Sequence, residues 1–407
     1  MHPLTTPPSA IKNLKARAVL VDMESSVIQS VLQHHPLRSL FTDTAAITDQ
    51  PGSGNNWATG FHQHFPSHHD VIADAIRHEF ELSDCVAQMT ILHSTGGGTG
   101  SGVGSAITRM VAQDYVKACG LANVCVVPRH GASSSDLTAT STDVITGPYN
   151  SLLTLHHVLP STDYYIPIEN AALSDIVHTV EQAGKQKAAH RGAKAGMSVC
   201  EGSETPARSA NVPAQQRPKL DRQASTVALQ GWDAMNNIVG NMLLDLTRYI
   251  LVWFAYIKSR KRLSRRDSSA RFPGSLNFDL SDLTTNLVPF PMMNALTVSM
   301  APLFTCRDVQ YASKATDALF LDAFSKKNDV VRRSYRGTCL AAAVVARGNV
   351  TWSQVRNGID KVRAAGLEFV DYNPTGWKIG LCNSPSRQQV NMSFAFTRVD
   401  DGTECPR

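Results

Sequence analysis

No two of the eight cysteines are spaced as CxxC and none falls into a zinc-ligand pattern. A zinc module and a disulfide scaffold are therefore excluded, and the thiols read as reduced, as in a cytosolic protein. No apolar run approaches the roughly 20 residues that a membrane-spanning helix needs; YILVWFAYI at 249–257 has nine. Met1 to Lys15 is rich in Pro and Thr without an apolar stretch, so no secretory leader is expected there. Charge is also sparse, at 18%, against 43% hydrophobic residues, which excludes a largely disordered chain. What remains is a chain of 407 residues, long enough for two or three domains. Its net charge of +5 hints at an acidic partner only weakly.

Short apolar runs alternate with helical patterns through the first part. RAVLVD (17–22), ILHS (91–94) and NVCVVP (123–128) read as buried strands. Residues 26–40, 103–118, 151–158 and 171–181 read as helices, so the expected class is α/β with a parallel sheet. Residues 184–227 contain no aromatic residue and read as a disordered basic linker. An apolar helix pattern returns at 232–246, followed by the apolar and basic stretch 248–267. From 268 onward the pattern is globular again, with strand-like runs at 340–345 and 390–397.

Charge follows this division. The linker carries eight basic and three acidic residues, and 248–267 carries seven and one, so the rest of the chain has a net charge of −6. The basic balance is local to two segments, and no nucleic-acid partner is expected.

GGGTGSG at 96–102 follows a strand and opens a helix. Glycines there permit close backbone approach, and the N–H groups of a helix start form an anion site. No Lys follows the last glycine, as a P-loop requires, and no GxGxxG register fits. A plain flexible turn is the competing reading.

STGGGTGSG (94–102) resembles the signature phosphate loop of the tubulin/FtsZ family. RAVLVDME (17–24), GSGNNWATG (52–60), PYNS (148–151) and NLVPFP (286–291) resemble further motifs of that family. The epsilon branch is the most similar, on LKARAVLVDME (14–24), ITDQPGSGNNWA (47–58), DVITGPYNSLL (143–153), DAMNNIVGNMLLDLT (233–247), SSARFPGSLNFDL (268–280), DAFSK (322–326) and ARGNV (346–350).

The resemblance implies a doubly wound GTP-binding domain at 1–183, a core helix at 228–247 completing the nucleotide site, and a second, smaller α/β domain at 268–407. It also implies that the family's first strand and first phosphate loop, and its C-terminal helices, are missing. Loss of a central strand would leave backbone groups unpaired. The stretch 248–267 interrupts a continuous match, as a translated intron would; a membrane-surface segment is the alternative.

The site residues follow from the resemblance. Gly96, Gly97, Gly98, Thr99, Gly100 and Ser101 would contact phosphates. Gly52, Ser53, Gly54 and Asn55 match the loop that meets the terminal phosphate. Asp22 and Glu24 match the acids on the Mg²⁺ side; taken alone, two acids at a strand end are ordinary solvated or capping groups. Asn170 and Asn236 match residues that contact guanine, and an amide offers the donor and acceptor a base edge needs. Trp232 stands where many members stack an aromatic ring on the base, with plain core packing as the alternative. Gly147 replaces an acid that sits near the ribose in commoner members. Asp282 matches a Glu that, in the alpha branch, reaches the next subunit's nucleotide and helps activate water; a surface Asp favoured by the helix dipole is the alternative. The histidines, His62, His64, His68 and His69 among them, are read as surface residues.

The implied ligands are GTP/GDP and Mg²⁺. The implied partners are other tubulins, delta-tubulin one candidate, and microtubule or centriolar proteins. The implied setting is the cytoplasmic cytoskeleton, at centrioles, basal bodies, centrosomes and cilia, in centriole maturation and triplet microtubules. GTP turnover would be completed only at a contact between subunits. A Rossmann-type nucleotide-dependent enzyme and a non-functional truncated product are the competing readings.

Overall fold

The computed structural model describes residues 15–33, 38, 40–50, 52–83, 86–115, 119–128, 145–182, 231–251, 276, 278, 280–288, 290, 292–303, 316–332, 338–382 and 392–400. The linker 184–227 and most of 248–267 lie outside them.

The first half alternates strands and helices as expected. β1 (Leu20–Asp22), α1 (Ser25–Gln33) and β2 (Ala46–Thr48) lead into α2 (Phe65–Glu81). β3 (Gln88–Ser94), α3 (Gly104–Asp114), β4 (Gly120–Val127), α4 (Gly147–Val158) and β5 (Tyr164–Glu169) follow. α5 covers 170–182. All pairings are parallel, β1 with β2 in one sheet and β3–β4–β5 in another. Among the described residues no strand pairs with the second edge of β1 or of β3. One expectation needs correction: ILHS is not wholly buried, because Leu92 in β3 is 55% exposed.

The two faces of this domain carry separate cores. Strand side chains alternate in direction, so Ala122 and Val124 of β4 face one core and Leu121 the other. On one face, Ile72 and Ile76 of α2 meet Val103, Ile107, Met110 and Val111 and the partly buried Val19 and Val21 beside and within β1. On the other face, Ile166 and Ile168 of β5 pack with Met242 of α6 (Gly231–Leu251). α6 extends four residues past Thr247, the expected end of the core helix.

The same core continues into the second half. α7 (Leu280–Leu287), β6 (Thr297–Ala301), α8 (Thr316–Ala323), β7 (Thr338–Arg347), α9 (Trp352–Ala364), β8 (Trp377–Cys382) and β9 (Met392–Asp400) complete the described elements. The sheet order is β6–β9–β7–β8, with only β7–β8 parallel. β7 is central and nearly continuously apolar, TCLAAAVVAR, as a strand covered on both faces requires. Its Ala341, Ala343 and Val345 face the core shared with α6 and α7. Its Val344 and Ala346 face Val355, Ile359 and Val362 of α9. A bridge between Tyr165 and Ala295 links β5 to the chain entering β6. Among the described residues no helix is long and apolar enough to cross a membrane.

Candidate functional site

β3 delivers the chain into the glycine run, and α3 takes it out through a wide π turn at Thr99–Val103. Such turns mark functional sites more often than ordinary helix does. A second wide turn, Gly60–His64, opens α2. The two turns pack backbone against backbone. A Cβ on Gly60 would strike the Gly98 carbonyl, and one on Gly102 the Trp57 carbonyl. A Cβ on Gly98 would lie 2.5 Å from Ser53 Oγ and 2.8 Å from Asn56 N. Several of these glycines are therefore required by the approach of two loops, before any ligand is considered.

The second loop, 52–57, is built from left-handed residues. Gly52, Gly54 and Asn55 have φ of 87°, 56° and 52°. Left-handed residues alternating with ordinary ones, as at Gly52, Ser53 and Gly54, turn N–H groups into one concavity, a fit for an anion. Asn56 ends the loop as a helix cap, its Oδ1 accepting from Ala58 N at 3.0 Å.

Two contacts fasten this loop to the glycine run. The Ser53 and Thr99 hydroxyls lie 3.1 Å apart. Buried Asn150, on α4, donates from Nδ2 to the carbonyls of Asn55 (2.8 Å) and Gly96 (2.9 Å) and accepts from Trp57 N (3.0 Å). Thr146 adds a bond to the Asn55 carbonyl at 2.9 Å. Asn150 lies inside the PYNS motif, yet nothing in a lone sequence marks its amide as the joint between loops about 40 residues apart in the chain.

The acids lie on the same side. Asp22 ends β1, and its Oδ1 accepts from Glu24 N at 3.2 Å. Glu24 Cγ lies 3.3 Å from where a Cβ on Gly52 would stand, so its side chain rests against the start of the second loop. Among the described residues no group of three or more His, Cys, Asp or Glu is arranged to hold a metal ion. Two acids beside an anion loop suit Mg²⁺ nonetheless, because that ion takes one or two carboxylates and fills its shell with water and phosphate oxygens.

The residues expected at the base are spread over two helices. Asn170 opens α5, directly after β5, and is half-buried. Asn236 is exposed on α6, while Met235, Ile238 and Val239 of that helix pack into the core. Trp232 is in the first turn of α6, and its side chain lies outside the described residues. Gly147 is buried in the first turn of α4. Asp282 sits in the first turn of α7, as the dipole favours, and is half-buried, with Oδ1 3.0 Å from Lys378 Nζ on β8.

The reading of all histidines as surface residues needs correction. His64 has a side chain only 11% exposed, bonded to Asp49 and to the Gly52 carbonyl. His93, on β3, is half-buried beneath α3, its Nε2 3.1 Å from both Asn123 Oδ1 and Cys125 Sγ. Burial holds the His93 imidazole below its usual pKa and drives the Cys125 thiol and the Tyr165 phenol well above theirs. The folded chain therefore keeps His93 neutral where the unfolded chain protonates it. Stability should be full above about pH 6.5 and fall below it, by at most about 1.4 kcal/mol per pH unit from this residue. Denaturant titrations of wild type and His93→Gln at about pH 7.5 and 5.5 check this, with a flatter response expected from the variant.

Two glycine-built loops, a helix start and flanking acids describe a phosphate-binding site on a doubly wound sheet, the architecture of a nucleotide-binding protein. Residues 9–178 match the family model "Tubulin/FtsZ family, GTPase domain", and 291–399 match the tubulin C-terminal domain. The chain belongs to the tubulin/FtsZ family, and its GTPase domain implies binding of a guanine nucleotide. Similar relatives include the tubulin epsilon chain of Mus musculus, 36% identical over 381 residues, which covers 92% of this chain and 68% of that one. The tubulin epsilon chain of Homo sapiens is 36% identical over 382 residues, again 92% and 68%. A tubulin alpha chain of Dictyostelium discoideum is 26% identical over 376 residues, 91% of this chain and 66% of that one. The higher identity to the epsilon chains agrees with the branch that the sequence motifs resemble.

Proposed function

We propose that the chain is a nucleotide-regulated tubulin subunit of centrioles and basal bodies, acting in centriole maturation and triplet microtubules beside other tubulins. The observation that supports nucleotide control is the joint at Asn150. One buried amide holds both phosphate-facing loops, so a ligand seated between them is sensed by both.

In this reading residues 1–183 form the nucleotide domain, with α6 closing it, and 268–407 the second domain. Gly96 to Ser101 and Gly52 to Asn55 hold the phosphates. Asn170, Asn236 and Trp232 select guanine. Asp22 and Glu24 hold Mg²⁺, which neutralises phosphate charge when bound. Asp282 positions water on the nucleotide of the adjoining subunit, and its pairing with Lys378 holds the carboxylate in place.

Equilibrium binding of GTP and ATP tests the assignment. GTP is expected to bind at least about tenfold more tightly, because an amide pair matched to guanine leaves its polar groups unpaired against adenine. Equal affinities overturn the guanine assignment. Asp282→Asn is expected to leave GTP binding by the isolated chain unchanged and to slow turnover in assemblies by about 100-fold. Unchanged turnover in assemblies removes Asp282 from the reaction.

A further inference from the structure

The ring of His64 stands between two atoms that only accept hydrogen bonds. Nδ1 is 3.1 Å from Asp49 Oδ2, just past the end of β2, and Nε2 is 3.1 Å from the Gly52 carbonyl. A neutral imidazole has one N–H and satisfies one of them; an imidazolium satisfies both.

The Gly52 end of this contact matters because Gly52 begins the loop, while the other anchors hold Ser53, Asn55 and Trp57 further along. Gly52 holds a φ of 87°, with the Glu24 side chain against its Cα on one side and His64 on its carbonyl. Its neighbour Ser53 meets Thr99 of the glycine run. A shift at Gly52 is thus passed to the hydroxyl pair that joins the loops.

We propose that His64 is a proton-dependent positioning residue: its doubly protonated ring clamps residues 52–55 against α2 and so strengthens binding of the terminal phosphate. The proposal rests on the reading of 52–55 as the terminal-phosphate loop. Asp49 fits the role, since the Gln50 N–H and then the His64 ring hold its carboxyl below the usual range, keeping it an acceptor. The other titratable groups nearby are His68, with Nδ1 2.9 Å from the His64 carbonyl and Nε2 3.7 Å from Asp49 Oδ2, and Glu24. The sequence alone reads His64 as a surface residue, because four histidines in eight residues look like a solvated helix start.

Asp49→Asn gives a discriminating test. The amide keeps an oxygen for the Gln50 N–H and offers an N–H to Nδ1, so a neutral ring with its proton on Nε2 satisfies both contacts. GTP and GDP binding is measured from about pH 5.5 to 8, where imidazoles titrate. The terminal phosphate of GTP titrates in the same range, so each variant is compared with wild type at the same pH; His68→Gln, expected to keep the wild-type profile, separates the neighbouring ring that Asp49→Asn also reaches.

Wild type is expected to prefer GTP over GDP about fivefold more strongly at the acid end, the worth of one hydrogen bond. Asp49→Asn is expected to show that stronger preference throughout, and His64→Gln a preference without the pH dependence. Nitrogen NMR of the nucleotide-free chain should show both ring nitrogens of His64 protonated at the acid end, with the Gly52 signals following the titration. Matching pH profiles for wild type and both variants, or a ring carrying one proton throughout, overturn the clamp. A chain that binds no GTP at any pH, yet shows both ring protons and the response at Gly52, refutes the site reading and upholds the clamp.

Discussion

Asn150→Leu is expected to abolish measurable GTP binding and to destabilise the nucleotide domain by about 3 kcal/mol. The side chain is buried, and it makes three hydrogen bonds to backbone groups of two loops. Leucine has nearly the same shape, so no cavity arises. What changes is polar: the Trp57 N–H loses its partner, as does the Gly96 carbonyl, while the Asn55 carbonyl keeps Thr146. Each buried group left without a partner costs about 1–3 kcal/mol. The binding loss is larger than the stability loss, because the loops must meet across the ligand and Asn150 fixes their separation. Denaturant titration with and without GTP, beside calorimetric binding, reads both quantities. Affinity within about threefold of wild type would remove Asn150 from the site, since the loops would then be held by the Ser53–Thr99 pair and their backbone packing.

Much of this arrangement is legible in the sequence, and the reasons are local. A glycine run between an apolar strand and an amphipathic helix announces a close backbone approach wherever it occurs, and β3, the π turn and α3 follow that order. β7 reads as a buried strand because a run such as LAAAVVA has no polar face to expose. Element ends are less legible. Residues 103–118 carry one helical pattern, yet α3 ends at Asp114 with Tyr115 as its C-cap, since a periodic pattern does not say where packing stops.

Tertiary partners are the part that a lone sequence withholds. Asn150 finds its partners 93, 95 and 54 residues away. His64 and His93 look like their exposed counterparts in composition. Their burial comes from Asp49 and Gly52 on one side and from β4 and α3 on the other. Residue type sets what a histidine can do; only packing decides whether its second nitrogen faces water.

The glycines allow the loop approach to be separated from the ligand. Gly98→Val is expected to lower stability by about 3 kcal/mol and to eliminate GTP binding, because the new Cβ would lie 2.5 Å from Ser53 Oγ and 2.8 Å from the backbone N of Asn56. A loss of binding there says nothing about phosphate, since the loops themselves are driven apart. Gly97→Ala is the informative partner. A Cβ at that position meets only Asn55 Oδ1, at 3.7 Å, an ordinary contact. Its stability should stay within about 1 kcal/mol of wild type, close to the usual difference between Gly and Ala. The methyl group nevertheless faces the other loop, in the gap the phosphates would occupy. GTP affinity is therefore expected to fall by about tenfold or more, as a phosphate loop that relies on close backbone approach requires. Thermal unfolding and nucleotide binding of the two variants, measured together, make the distinction. If Gly97→Ala keeps both its stability and its GTP affinity, glycine at 97 serves no ligand and the phosphates lie elsewhere along the run. If it keeps stability alone, the gap between Gly97 and Asn55 is where the nucleotide is held.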